Sequence, residues 1–226
     1  WLLVLVAVSS LSGNSISDTN ISDEDITYGS MYQWRSHAAF GQVDEVVVLG
    51  ERVFGLSCNS LFAINKSDGE IEYYSKLNGL NSSVIDHIVY NEYLNRMLIT
   101  YRNGQIDIMT VDGEVYNISD LFLKQMSVSK QVNDICMYQE KAFLAMDFGI
   151  LVVDMTKAEF SETYYIGHNS SEVCVHFVGV SDERIYAATD AWIYSAQLTD
   201  NLMDYASWTT ISYPKGSING LRVNDD

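Results

Sequence analysis

Apolar and polar residues alternate along this chain in short runs separated by turn residues, and the runs recur in groups of four. Alternation with a period of two belongs to strands, whose successive side chains point to opposite faces of a sheet. Each group opens alike: Val43-Asp44-Glu45-Val46, Ile85-Asp86-His87-Ile88, Val132-Asn133-Asp134-Ile135, Cys174-Val175-His176-Phe177, and then Ile218-Asn219-Gly220-Leu221. The openings lie 42, 47, 42 and 44 residues apart.

Within each group a second strand starts on a basic residue: Arg52 to Ser57, Arg96 to Tyr101, Lys141 to Met146 and Arg184 to Thr189. Turn residues follow, as Cys58-Asn59, Arg102-Asn103-Gly104, Asp147-Phe148-Gly149 and Asp190-Ala191, where Gly and Asn accept the positive φ of tight hairpins. Third strands are expected at Leu61 to Ile64, Ile106 to Met109, Ile150 to Val153 and Trp192 to Ser195. Fourth strands are expected at Ile71 to Tyr74, Val115 to Ile118, Glu162 to Ile166 and Ser207 to Ile211. Four short strands on a period of about 40 to 50 residues make a β-propeller blade. The pattern therefore predicts an all-β fold: a β-propeller of four-stranded blades, incomplete, with about four to five blades starting near residues 43, 85, 132, 174 and 218.

Trp34 precedes Val43 much as Trp208 precedes Ile218, so Trp34 to Ala38 reads as an outer strand without a blade of its own. Such a strand can close a ring by hiding sheet edges that would otherwise stay open. A closed ring of four blades would leave Ile218 to Val223 without a place, so the expectation is a piece of a larger ring. Three regions result: a signal-peptide remnant over 1–13, a flexible lead-in over 14–30, and the partial propeller over 31–226. The first eight residues, Trp1 to Val8, are apolar without a break and are followed by small residues, which suits the apolar core of a secretory signal but is too short to span a bilayer. Export to the periplasm or outer-membrane cell surface follows, with no membrane-spanning segment. No cysteine stands near the cleavage region to carry a lipid.

Composition narrows the partners. Thirty acidic against 13 basic residues give a formal charge of −17, a surface that repels phosphate backbones and argues against nucleic acid. Cys58, Cys136 and Cys174 lack metal-like spacing and predict neither a disulfide framework nor a zinc site; on inner strands Cys136 and Cys174 are expected as small buried hydrophobes. His37, His87, His168 and His176 are dispersed. His87 and His176 hold nearly matching inner-strand positions from which they could approach the central channel, although a histidine there is more often a packing residue than a ligand.

Carboxylate neighbours such as Asp44-Glu45 and Asp23-Glu24-Asp25 are expected by chance in so acidic a chain. No nucleophile motif, P-loop, dinucleotide fingerprint or HExxH helix occurs, nor the Ser-x-Asp-x-Gly-x-Thr-Trp turns of propeller sialidases. The sequence thus nominates no catalytic, cofactor-binding or metal-binding residue, and the expectation is a binding protein without a cofactor, not an enzyme.

Four stretches carry a resemblance to a known family: Trp34 to His37, Tyr74 to Leu80, Leu98 to Asp107, and Asp147 to Asp154 continued by Glu162 to Gly167. Over about residues 34 to 167 the chain resembles the N-terminal propellers of PorZ-like accessory proteins of the type IX secretion system in Bacteroidetes. The resemblance implies a full protein of two propellers and a C-terminal β-sandwich sorting domain, working at the cell surface. Its implied partners are the proteins of a sortase complex that attaches secreted cargo to lipopolysaccharide, and lipopolysaccharide itself. The competing resemblance is to periplasmic ligand-sensing propellers of hybrid two-component regulators, whose usual Leu-Trp-Ile-Gly-Thr strand is replaced here by Met97 to Tyr101. An enzymatic propeller acting on glycans has only generic carboxylates in its favour.

Overall fold

The computed structural model describes residues 42–212 together with Gly220, Leu221 and Val223. The signal-like start (1–13), the lead-in (14–30), the closing strand Trp34 to Ala38, His37, and Ile218-Asn219 lie outside the described residues.

Four antiparallel sheets of four strands each follow one another along the chain. The first contains β1 (Glu45–Leu49), β2 (Arg52–Ser57), β3 (Ser60–Asn65) and β4 (Ile71–Tyr74); the second contains β5 (Ile85–Asn91), β6 (Arg96–Tyr101), β7 (Ile106–Thr110) and β8 (Val115–Ile118). After a short helix α1 (Asp120–Leu123) come β9 (Val132–Tyr138), β10 (Lys141–Met146), β11 (Gly149–Asp154) and β12 (Glu159–Tyr164). The last sheet is β13 (Val175–Val180), β14 (Arg184–Thr189), β15 (Ile193–Gln197) and β16 (Thr209–Ile211). Every sheet is a meander, and its opening strand touches the opening strand of the next: β1 meets β5, β5 meets β9, and β9 meets β13. The chain is an all-β, incomplete β-propeller.

Burial on both faces explains why the second strands read as continuous apolar runs. On β6, Met97, Ile99 and Tyr101 pack towards the first blade while Leu98 packs towards the third. On β10, Ala142, Leu144 and Met146 face the second blade, and Phe143 and Ala145 the fourth. Each fully buried Leu or Ile contributes about 1.5–3 kcal/mol, so the stacked blades share their stability through three successive cores.

In the first two blades the arginine that leads the second strand has a structural task. Arg52 Nη2 donates to the Val111 carbonyl (3.0 Å) and Arg96 Nη1 to the Met155 carbonyl (2.6 Å). Each guanidinium so clasps the β-hairpin between the third and fourth strands of the following blade.

Two of the fourth strands differ in extent from the sequence expectation. The fourth strand of blade 3 runs over Glu159–Tyr164 instead of Glu162 to Ile166, and that of blade 4 over Thr209–Ile211 instead of Ser207 to Ile211. In blade 3 the turn is made without glycine: Ala158 adopts φ 56°, and the Asp154 carboxylate accepts from the Thr156 and Lys157 amides. In blade 4 a 3-10 turn (Tyr205–Ser207) precedes the strand and seats buried Trp208 against Tyr164, ring centroids 6.2 Å apart. Beyond it, Leu221 and Val223 press on Gly179 of β13, where an added Cβ would lie 2.7 Å from Val223 Cγ2.

Candidate functional site: a polar rim built on β-bulges

In three blades the ladder between first and second strands slips by one residue near its start. The residue skipped by pairing is Asp86 in β5, Asn133 in β9 and His176 in β13. A bulge re-aims the side chain it carries, and here it turns a polar group towards the hairpin joining the second and third strands of its own blade. Asp86 Oδ1 accepts from Arg102 Nε (3.2 Å), Asn133 Nδ2 donates to Asp147 Oδ1 (2.9 Å), and His176 Nε2 lies 2.7 Å from Asp190 Oδ1. All three pairs stand at the end of the blades where first strands begin, and together they form a hydrogen-bonding rim.

The pairs are chemically unequal. The Asp86 side chain is 2% exposed and its Oδ2 has no partner among the described residues; burial raises its pKa, while Arg102 pulls it down. Asn133 also donates to the Val175 carbonyl (2.9 Å), which ties blade 3 to blade 4. Cys174 sits beside this pair, its thiol 3.2 Å from Asp147 Oδ1 and 3.9 Å from His176 Nδ1. Burial, followed by the Asp147 hydrogen bond and charge, pushes the Cys174 thiol up to about 12. A Cys–His–Asp succession of contacts therefore holds a neutral thiol, the opposite of what nucleophilic catalysis needs. Among the described residues no three His, Cys, Asp or Glu side chains converge as a metal-binding set.

The matching of His87 with His176 does not hold, because the ladder of blade 4 opens on Val175, one residue after the Cys174 that the sequence repeat sets against Ile85. Aligned on their bulges, His176 corresponds to Asp86 and Asn133, and His87 to Asp134. His87 lies between blades: its Nδ1 is 2.7 Å from Glu45 Oε1 and its Nε2 3.2 Å from the Val132 carbonyl. Burial works against its charge, but the Glu45 hydrogen bond and charge, aided by the Val132 carbonyl, outweigh it and raise the imidazole pKa. Glu45 also accepts from the Ile88 amide (2.7 Å), and Asp134 from the Val178 amide (3.0 Å), so carboxylates at this position lock one inner strand to the next. Asp44, by contrast, is exposed.

The cysteines divide likewise. Cys136 is half-buried against the core shared by blades 3 and 4, as a small hydrophobe would be. Cys174 instead joins the polar rim one residue before β13, and Cys58 is exposed in its hairpin at φ 49°. His168 is exposed and stacks edge-on to Tyr205 at 5.7 Å.

Sequence reasoning passed over Asp107, the one charged residue of β7. Asp107 is fully buried and accepts from the Tyr101 hydroxyl (2.6 Å), the Asn81 amide (3.0 Å), Asn81 Nδ2 (2.9 Å) and Asn117 Nδ2 (2.7 Å). It fastens the connection between blades 1 and 2 to the second blade, beneath the rim. The signal available in the sequence was the carboxylate itself, set between Ile106 and Ile108.

Comparison with known proteins bears on what such a rim belongs to. The family model for the N-terminal β-propeller domain of PorZ of the type IX secretion system matches residues 53–209. The chain belongs to that family. PorZ of Porphyromonas gingivalis, described as an essential bacterial surface component of the type IX secretion system, is 28% identical to it, with a TM-score of 0.73 over 82% of this chain and 25% of that one. The extracellular domain of a hybrid two-component system protein of B. thetaiotaomicron superposes with a TM-score of 0.57 at 14% identity, over 84% of this chain and 24% of that one. Apo AztD of Citrobacter koseri gives 0.51 at 13% identity, over 80% and 48%. The last two share the fold alone. The chain thus spans about a quarter of the length of PorZ. No curated protein matches it.

Proposed function

We propose that this PorZ-type propeller is a binding module of an exported component of the type IX secretion machinery, and that the component is not an enzyme. The observation that carries the reading is the family match over residues 53–209, joined to 28% identity with a surface component of that system. The rim agrees with it: Asp86–Arg102, Asn133–Asp147 and His176–Asp190 offer donors and acceptors to a polar partner, while the Cys174 thiol is held neutral. No helix among the described residues is long and apolar enough to cross a membrane.

In finer terms, the full protein supports sortase-dependent attachment of cargo to surface lipopolysaccharide, through protein partners of the sortase complex. Deleting the gene in its host and following secreted cargo tests this: cargo should fail to reach the surface in its lipopolysaccharide-attached form. Normal attachment in the deletion strain refutes the role. Turnover of glycosides by the full-length protein refutes the non-enzymatic part, and a downstream membrane helix with a histidine kinase would replace the reading with the sensor.

A further inference from the structure

On the axial face opposite the rim, one blade junction repeats the residues of another but lacks its guanidinium. At the first junction Arg52 is held by four groups. Nη1 donates to the Tyr74 hydroxyl (2.8 Å) and lies 3.8 Å from Glu72 Oε2. Nη2 donates to the Val111 carbonyl (3.0 Å), and Cζ lies 5.7 Å from the centre of the Phe54 ring. Tyr74 in turn donates to Glu72 (2.9 Å).

At the third junction the same set recurs position for position: Phe143 for Phe54 on the second strand, Glu162 and Tyr164 for Glu72 and Tyr74 on the fourth. The ladders confirm the equivalence, since Glu72 and Tyr74 pair with Ala63 and Leu61, and Glu162 and Tyr164 with Val152 and Ile150. Tyr164 donates to Glu162 as Tyr74 does to Glu72. Leu198 takes the place of Val111 as the first residue after the third strand. Only the cation differs, Lys141 standing where Arg52 would.

Lysine carries a compact ammonium on an unbranched stem and cannot present the planar fork that meets a hydroxyl, a carboxylate and a carbonyl at once. Among the described residues Lys141 Nζ makes no hydrogen bond or ion pair. A cavity of about 320 Å³ opens instead, lined by Lys141, Phe143, Glu162, Tyr164 and Leu198. Glu140 and Asp200 are the other charged residues of the lining, so three carboxylates face one ammonium and the cavity keeps a negative balance.

We propose that the slot between blades 3 and 4 is a binding site for a guanidinium group supplied from outside the blade, taking the place that Arg52 fills from within at the first junction. The guanidinium would lie over the Phe143 ring, donating to the Tyr164 hydroxyl, Glu162 and the Leu198 carbonyl. An arginine side chain of a protein segment and a free small guanidine share this chemistry.

Calorimetric titration of the full chain with Nα-acetyl-arginine amide, its lysine counterpart and a blocked Gly-Arg-Gly tripeptide tests the site. The arginine amide should bind saturably and the lysine amide about tenfold or more weakly, because the fork is lost. Tripeptide binding tighter than the amide assigns the slot to a protein segment, and equal binding assigns it to a free guanidine. Lys141→Arg should fill the slot internally, weakening arginine amide binding about tenfold while raising Tm, a pair of changes that misfolding cannot mimic. Glu162→Gln should weaken binding without emptying the fold. Equal affinity for the lysine amide, unchanged binding by Lys141→Arg, or no saturable arginine binding overturns the proposal.

Discussion

Replacing Asp107 removes the acceptor for four donors at once. Tyr101 is fully buried, and burial together with the neighbouring Asp107 charge raises its phenol pKa, so it remains a donor throughout the working pH range. In Asp107→Ala the Tyr101 hydroxyl is orphaned out of reach of water, whereas the Asn81 and Asn117 groups are only partly buried and recover some hydration. An orphaned buried donor costs about 1–3 kcal/mol. With Tyr101 counted in full and the other three at about half, the loss is about 2.5–7.5 kcal/mol. At about 2–4 °C per kcal/mol for a chain of this size, Tm should fall by roughly 5–30 °C. Asp107→Asn keeps the shape but sets an amide N–H against two of the donors, and should cost about 2–4 kcal/mol. Urea unfolding followed by tryptophan fluorescence measures both. If Asp107→Asn unfolds within about 0.5 kcal/mol of the parent chain, the network is not what fastens blade 2, and the reasoning fails.

Arg96→Met should lower stability by about 1.5–3 kcal/mol through loss of its charge-assisted bonds to the Met155 and Thr156 carbonyls, read as a shift in urea midpoint. The folded-state pKa of His87 lies above its ordinary 6.5, so its stabilisation is complete below pH 6.5 and is lost as pH rises through the folded-state value. Tm should therefore drop on going from pH 6.5 upwards, and Glu45→Gln should flatten that drop; an unchanged slope in the variant counts against the pairing. Iodoacetamide at pH 8 should alkylate exposed Cys58 well before Cys174, whose thiol is pushed up to about 12; peptide mapping by mass spectrometry gives the order. Gly149→Ala should destabilise by about 3 kcal/mol or more, since φ is +142° and an added Cβ would meet the Tyr164 carbonyl oxygen at 2.2 Å, measurable by thermal denaturation.

The blade plan was legible because strand periodicity is a local property that survives in any one sequence. All four second strands lie where their leading basic residues placed them, from Arg52–Ser57 to Arg184–Thr189. Turns that do not advertise themselves were less readable: the Asp154–Ala158 turn uses a side-chain carboxylate and a positive-φ alanine where Asp68-Gly69 and Asp112-Gly113 turn the same hairpin of the first two blades with a positive-φ glycine. The rim was hidden for a stronger reason. A bulge adds one residue to a ladder, a change with no compositional signature, and a one-residue offset in where the ladder opens decides whether a histidine falls on the bulge and meets the rim, as His176 does, or one place past it and lies between blades, as His87 does. The clasps were visible only as a recurrent basic residue, because their acceptors are backbone carbonyls about sixty positions away.

The inner-strand locks also constrain how such a ring could gain or lose units over evolution. Excising blade 2 alone would bring Glu45 alongside Asp134, two carboxylates with no imidazole between them. Excising blades 2 and 3 together would hand Glu45 the Val178 amide that Asp134 now holds, and the seam would knit. The inner-strand carboxylates of this chain therefore favour loss of blades 2 and 3 together over loss of blade 2 alone.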